Sequence, residues 1–145
     1  QWWLMVKIQK NDFLLEDEIL NIKKKYSTIG AVSTFIGYVR ENNNYRNVIS
    51  IELEVYKKMA YHSLENISLR AKKKWNLIDT LIIHRFGKLQ INEKIVLVAT
   101  FAKHRKNSFE ACNFIMDYLK KDAPFWKKEF YNNNYKWLKN TSLKN

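Results

Sequence analysis

The chain has 145 residues, of which 46% are hydrophobic and 14% aromatic, and this composition excludes an intrinsically disordered segment. Its 26 Lys and Arg residues outnumber 14 Asp and Glu, and the formal net charge of +12 favours an anionic partner, although scattered surface lysines account for most of it. A single cysteine excludes an internal disulfide and a cysteine-rich metal site, and no apolar run approaches the ~20 residues of a membrane span.

The beginning of the chain, QWWLM, lacks the basic start, long apolar core and small-residue cleavage site of a signal peptide. We therefore expect a cytoplasmic protein with Met5 as its natural start, and Gln1–Leu4 as a cloning remnant or an extended start. Only three Gly and one Pro are present, so long flexible linkers are absent, and residues 1–145 are predicted to form one domain.

Hydrophobic periodicity predicts the element order β-α-β-β-α-β-β-α and leaves open a terminal strand. The predicted elements are strand Trp3–Ile8, helix Leu15–Lys25, strand Gly30–Val39, strand Val48–Tyr56, helix Lys58–Trp75, strand Asp79–Arg85, strand Lys94–Ala102 and a last helix that ends before Pro124. The Asn-rich segments at 42–44 and 132–134 are predicted loops. Helices between strand pairs predict a two-layer α+β domain, with helices packed on a largely antiparallel sheet.

The last helix carries the most informative pattern. Asn107 is a good N-cap, and Glu110 three residues later has the spacing of a capping box, so we expect the helix to begin there. Residues at helical spacing predict one apolar stripe, formed by Phe109, Cys112, Ile115, Met116 and Leu119. Pro124 then ends the helix, because its ring removes an N–H and disfavours helical angles at the preceding residue.

Cationic side chains flank this helix at both ends. At its start, His104 and Arg105 add to the free N–H groups and the positive dipole end, which favour an anion. At its end, Lys120 and Lys127 can offer an amine to an anion or an electrophile. The ends are about 22 Å apart, from ~15 residues at ~1.5 Å each. Either the two clusters serve different ligands, or a symmetric dimer brings the start of one helix beside the end of another.

Other polar residues along the chain have either a binding or a structural interpretation. Arg40 ends a strand and enters a flexible loop, a common place for binding residues. His84 and Arg85 lie in an apolar strand and are predicted to be structural, and Cys112 is predicted to be a buried, inert thiol. The three histidines lack metal-ligand spacing and no acidic cluster accompanies them, so no metal site is expected.

Several motifs together resemble the catalytic (large) subunit family of molybdopterin synthase. The likeness runs from about Val6 to Trp137. The motifs are His104-Arg105, Phe109–Cys112 (FEAC), Asp117–Lys120 (DYLK), Pro124–Glu129 (PFWKKE), Gly37–Arg40 (GYVR), Leu53–Tyr56 (LEVY) and Ile83–Leu89 (IHRFGKL).

The resemblance implies an α/β-hammerhead fold and a sulfur-transfer reaction. Enzymes of that family convert cyclic pyranopterin monophosphate (precursor Z) to molybdopterin by inserting two dithiolene sulfurs. The sulfur arrives as a C-terminal thiocarboxylate on a small ubiquitin-like partner, whose Gly-Gly tail enters a pocket of the large subunit. The family implies a heterotetramer built on a homodimer of the large subunit, and it implies no cofactor and no metal in this reaction.

Matched to the family's motifs, Lys120 and Lys127 are the two expected catalytic lysines. Lys120 is expected beside the thiocarboxylate, as a general acid/base or as a positive group that stabilises the acyl intermediate. Lys127 is expected to bind and polarise the pterin, with Lys128 and Glu129 extending the binding segment.

The phosphate or pterin is expected to be held by Arg40 with the neighbouring backbone of Tyr38 and Val39. His104 and Arg105 are expected to complete this anion pocket from the second subunit. Tyr38 occupies a position that varies in the family, and the Asn-rich loop after Arg40 lacks the family's usual glycine.

Two alternative functions have different requirements of the sequence. A basic, aromatic-rich module that binds single-stranded nucleic acid would need Trp and Tyr exposed on a sheet face and salt-dependent binding. The sequence has no RNA-binding signature, so no nucleic-acid partner is expected. A non-catalytic scaffold that keeps only the partner interface is disfavoured by the presence of Lys120, Lys127 and Arg40.

Overall fold

A computed structural model of the chain describes residues 5–41, 48–131 and 134–139. The elements in these ranges are, in chain order, β1 (Val6–Gln9), α1 (Leu15–Lys23), β2 (Ala31–Tyr38), β3 (Val48–Val55), α2 (Lys57–Trp75), β4 (Asp79–Arg85), β5 (Gly87–Gln90), β6 (Lys94–Ala102), α3 (Arg105–Lys121), β7 (Phe125–Tyr131) and β8 (Asn134–Lys139). The predicted α+β class is confirmed, and β5 and β7 are strands that the sequence pattern did not predict. The predicted loop at 42–44 lies outside the described residues, and that at 132–134 overlaps the start of β8.

The strands form two four-stranded sheets rather than one. The first has the order β1-β4-β6-β2, in which β1 is parallel to β4 and the other pairs are antiparallel. The second has the order β5-β3-β7-β8 and is antiparallel throughout. Both sheets fit the largely antiparallel arrangement that the alternation of helices and strand pairs predicts.

The first sheet is covered on both faces. Alternate residues of β4 and β6 face opposite sides, because successive side chains of a strand point in opposite directions. Leu81, Ile83 and Leu97 pack with Ile22 of α1, while Ile82, Val96 and Val98 belong to the larger core with α2 and α3. Burial on both faces explains why both strands are apolar at nearly every position.

The predicted helix cap at Asn107 is wrong. The N-cap position is His104, three residues earlier; its backbone is extended, it makes no side-chain cap, and helix α3 begins at Arg105. Asn107 Nδ2 donates instead to the Trp75 carbonyl (2.8 Å), and Glu110 Oε1 accepts from Trp75 Nε1 (3.0 Å). Both side chains therefore fasten α3 to the end of α2, and this tertiary contact replaces the local capping box.

The apolar stripe of α3 also differs from the prediction at Phe109, which is 64% exposed. The neighbouring Ser108 is buried instead. Its hydroxyl accepts from Ser33 Oγ (2.8 Å), and its carbonyl accepts from Thr100 Oγ1 (2.7 Å). The buried face of the helix consists of Ser108, Ala111, Cys112, Ile115 and Leu119. Periodicity of apolar residues alone does not reveal a buried hydroxyl that finds partners.

His84 links the two sheets. Its ring stacks on Phe125 of β7, with centroids 3.7 Å apart, and its Nδ1 lies 2.9 Å from the Arg85 carbonyl. Burial lowers the pKa of His84 to about 4, so the ring is neutral at pH 7. Arg85 is buried as well and donates to Glu93 Oε1 and to the Lys10 and Lys94 carbonyls. The structural role predicted for His84 and Arg85 is confirmed.

The lowered pKa of His84 predicts that acid weakens the fold. The unfolded histidine protonates near pH 6.5 and the folded one near 4, so in this window the unfolded state binds the extra proton. The contribution of His84 is therefore constant above pH 6.5, and about 3 kcal/mol of stability is lost as the pH falls to 4. Urea unfolding between pH 7 and 4 should show a shallower loss for His84→Gln than for the wild type. Equal slopes for the two proteins would contradict this account.

Candidate active site

Helix α3 runs back along the first sheet. β2 and β6 are antiparallel, so the end of β2 lies beside the start of β6. After two connecting residues, the first turns of α3 are fixed by the bonds from Ser108 to Ser33 of β2 and Thr100 of β6. The helix therefore starts at the end of β6 and finishes near the end of β2.

This direction separates the predicted cationic residues into two groups. His104 and Arg105 lie at the start of α3, whereas Lys120 lies at its end, on the side where β2 leads into Arg40. The 17 residues of the helix span about 24 Å. One copy of the chain therefore separates His104 and Arg105 from Lys120 by the length of α3.

Three residues, 122–124, connect α3 to β7 and carry the chain from Lys120 to Lys127. The Asp122 N–H donates to the Tyr118 carbonyl (2.9 Å) and closes the last turn of the helix. The side chains of Ala123 and Phe125 are buried on either side of the proline, so the connection is anchored in the core. Lys120 is partly buried at the end of the helix.

Lys127 forms an ion pair within strand β7. Its Nζ lies 3.1 Å from Oε2 of Glu129, and the two side chains are only 11% and 16% exposed. On the neighbouring strand β3, Lys127 is opposite Leu53 and Glu129 is opposite Ile51, both buried. The pair thus lies in apolar surroundings, where attraction between charges is stronger than in water.

Lys128 lies on the other face of β7, because side chains alternate along a strand. Its ammonium is 5.0 Å from the Trp137 ring centroid and 5.4 Å from that of Phe130. The structure therefore groups Lys127 with Glu129 and separates both from Lys128.

The segment at the end of β2 presents Arg40. The side chains of Tyr38 and Arg40 are exposed, whereas Val39 is buried. The Val39 N–H already donates to the Glu93 carbonyl (2.9 Å), and the Val39 carbonyl accepts from the Asn92 N–H (2.7 Å). These two bonds hold the backbone just before Arg40, so its guanidinium is the anion-binding group that this segment offers.

The sequence pattern did not indicate Tyr131, which contacts one of the predicted site residues. Its hydroxyl donates to Oε1 of Glu129 at 2.6 Å, on the carboxylate that pairs with Lys127. The alternation of Lys127, Glu129 and Tyr131 in an aromatic-rich segment is typical of one face of a strand, and it is the signal that could have revealed the residue.

The described ranges contain no group of three or more His, Cys, Asp or Glu side chains placed to hold a metal ion. Cys112 is buried, as predicted, and burial raises the pKa of its thiol to about 11, which disfavours a nucleophilic thiolate at neutral pH. No helix in the described ranges is long and apolar enough to span a membrane.

Comparison with known proteins identifies the family. A family model described as "MoaE protein" matches residues 8–122. The molybdopterin synthase catalytic subunit of Ralstonia nicotianae is 47% identical over 133 residues, which cover 92% of this chain and 76% of the relative. The crystal structure of molybdopterin synthase from Staphylococcus aureus has a TM-score of 0.85 at 31% identity, covering 93% of this chain and 97% of that one.

A fourth comparison extends the likeness of fold. A chain in the protein–protein complex of subunits 1 and 2 of molybdopterin-converting factor from Helicobacter pylori has a TM-score of 0.76 at 23% identity, covering 94% of this chain and 91% of that one. The resemblance predicted from the motifs is thus confirmed. The chain belongs to the MoaE family, the molybdopterin synthase catalytic subunits, and is an enzyme of molybdenum cofactor biosynthesis.

Proposed function

We propose that the chain transfers sulfur from the C-terminal thiocarboxylate of a small ubiquitin-like partner to cyclic pyranopterin monophosphate, and so forms the dithiolene of molybdopterin. The observation that carries the proposal is the ion-paired Lys127, whose side chain is 11% exposed. A short connection anchored in the core joins it to the end of α3, where the second lysine, Lys120, lies. Both lysines stand in motifs that match those of the family.

In each transfer the sulfur of the thiocarboxylate attacks a side-chain carbon of the pterin. A carbon–sulfur bond forms there while the carbon–oxygen bond of the same carbon breaks, and the oxygen leaves on the opened phosphate ring or as water. Water then cleaves the bond between the sulfur and the acyl carbon of the tail, which leaves as a carboxylate. Negative charge builds on the acyl oxygen during this cleavage, and fixed cations stabilise such charge. We assign this role, or that of general acid/base, to Lys120, and we assign polarisation of the pterin to Lys127.

Arg40 is proposed to hold the substrate's phosphate, because a guanidinium offers paired donors to phosphate oxygens. The backbone of Tyr38 and Val39 positions Arg40, since the N–H and carbonyl of Val39 are already hydrogen-bonded. Glu129 extends the binding segment beside Lys127, and Lys128 extends it on the opposite face of β7. His104 and Arg105 are proposed to reach the same pocket from a second copy, since one copy places them at the far end of α3. A homodimer within a heterotetramer follows from this arrangement, and no cofactor is assigned.

The partner is proposed to be a small protein with a Gly-Gly tail. The motif match favours it, and a chain of the same fold from Helicobacter pylori was solved in a complex of two subunits. The cytoplasmic location also stays a prediction.

Reconstitution tests the proposal. The chain should co-purify with a small Gly-Gly-tailed protein, and the thiocarboxylated form of that protein should convert precursor Z to a product carrying two more sulfurs, detected by mass. The same partner with an ordinary carboxylate is the matched control and should give no product. A stable complex that forms no dithiolene from the thiocarboxylated partner would refute sulfur transfer.

One surface feature is relevant to the rival nucleic-acid function. Trp126 and Trp137 are 41% and 40% exposed on the strands of the second sheet. On the neighbouring strand β3, however, Glu54 is opposite Trp126 and Glu52 is opposite Lys128. Lys88 is also opposite Glu52, so the charge of this face is mixed and does not form the continuous positive patch that a phosphate backbone requires.

A further inference from the structure

We propose that Tyr131 is a positioning residue for the reaction and holds Lys127 in place through Glu129. The Tyr131 hydroxyl donates a 2.6 Å hydrogen bond to Oε1 of Glu129, whose other oxygen lies 3.1 Å from Nζ of Lys127. The Tyr131 phenol, the Glu129 carboxylate and the Lys127 ammonium therefore form one continuous hydrogen-bonded series. The inference rests on the proposed function, because it takes Lys127 to be the lysine that meets the pterin.

The backbone geometry of β7 brings the three side chains of this hydrogen-bonded series together. Lys127, Glu129 and Tyr131 occupy alternate positions of one strand, so their side chains share a face. The strand lies between β3 and β8 and is hydrogen-bonded on both sides, which fixes the spacing of the three Cα atoms.

The apolar surroundings of the Lys127–Glu129 ion pair make it depend on the Tyr131 hydroxyl. The side chains of Leu53 and Ile51, opposite Lys127 and Glu129, offer no hydrogen bond. The ion pair is largely withdrawn from solvent, so water is a poor substitute for a lost partner. Bonds in which one group is charged are about twice as strong as neutral ones, and the phenol–carboxylate bond is of this kind.

Lysine alone is poorly held, because its ammonium is a point charge on a flexible four-carbon stem. A carboxylate bonded through one oxygen can still turn about its last torsion, which is broad. When Tyr131 holds Oε1, the direction of Oε2 is set, and the Lys127 ammonium is set with it. The ring of Tyr131 packs against the hydrophobic core separately, so loss of the hydroxyl leaves that packing in place.

Tyr131→Phe tests the inference, since it removes only the hydroxyl. We expect kcat to fall about tenfold, the equivalent of one charge-assisted hydrogen bond, with KM changed by less than about twofold. We expect the change in kcat rather than in KM because phosphate binding is assigned to Arg40, which lies in another segment and keeps its contacts in the variant. The matched control is Tyr26→Phe, which removes the hydroxyl that bonds Asp79 Oδ2 (3.1 Å). That variant should keep the wild-type kcat even if its unfolding midpoint falls.

The same change in a Glu129→Ala background, which removes the acceptor of the Tyr131 hydroxyl, separates positioning from general packing. If Tyr131 acts through the carboxylate, Tyr131→Phe should cost less than about twofold there. An equal tenfold loss in both backgrounds, or an unchanged kcat in Tyr131→Phe alone, would overturn the inference. Lys127→Ala distinguishes failure of the positioning role of Tyr131 from failure of the proposed role of Lys127. If that variant is inactive while Tyr131→Phe is fully active, only the positioning role falls, whereas a fully active Lys127→Ala removes the proposed role of the lysine itself.

Discussion

Lys120→Ala is expected to lower kcat by about 10²–10³-fold while the protein stays folded. The magnitude is that of losing one fixed group that stabilises developing charge on oxygen. The fold should survive because Lys120 is only partly buried, in the last turn of α3, and alanine is a good helix former. Single-turnover formation of the dithiolene, with the thiocarboxylated partner in excess, measures the effect.

The neighbouring Lys121 provides the control for this experiment. It is exposed in the same last turn of α3, so both lysines interact favourably with the negative end of the helix dipole. Lys121→Ala should therefore show the same small change in stability, within about 1 kcal/mol, and wild-type kcat. Wild-type turnover by Lys120→Ala would contradict the catalytic assignment. Equal losses in the two variants would show that the net charge of this helix end matters rather than one amine.

The elements could be predicted where periodicity decides the structure. β4 and β6 are long apolar runs, and their predicted ranges agree with the observed ones because burial on both faces requires apolar residues throughout. β7 was missed because its sequence, FWKKEFY, mixes charged and apolar residues on one face. Its neighbours β3 and β8 define it as a strand, and these pairings are not local.

In the candidate site, too, the contacts that could not be predicted are those that depend on residues distant in sequence. Motifs identified Lys120, Lys127 and Arg40, because family-matching residues are readable in order along the chain. The hydrogen bond from Tyr131 to Glu129 was not predicted, because the alternation of Lys127, Glu129 and Tyr131 indicates a strand only together with pairing partners that are distant in sequence. In α3, Asn107 had the chemistry of a cap but bonded to α2 instead, because a tertiary partner was within reach.

The separation of Lys120 from His104 and Arg105 along α3 predicts that two inactive variants recover activity when they are mixed. The proposed pocket combines Lys120 of one copy with His104 and Arg105 of another. Lys120→Ala and a His104→Ala, Arg105→Ala double variant should each have little activity alone. In a mixed dimer, one of the two pockets takes every residue from an unaltered position, so it is complete.

The mixture should therefore regain activity that neither variant has. With equal amounts and free exchange, half of the dimers are mixed, each with one complete pocket of two, and the expected activity is about a quarter of the wild type. The proteins are unfolded and refolded together so that subunits exchange, and each variant refolded alone is the control. If all the residues acted within one copy, every pocket in the mixture would lack a cation. The mixture would then be no more active than the average of its components, and the shared pocket would be excluded.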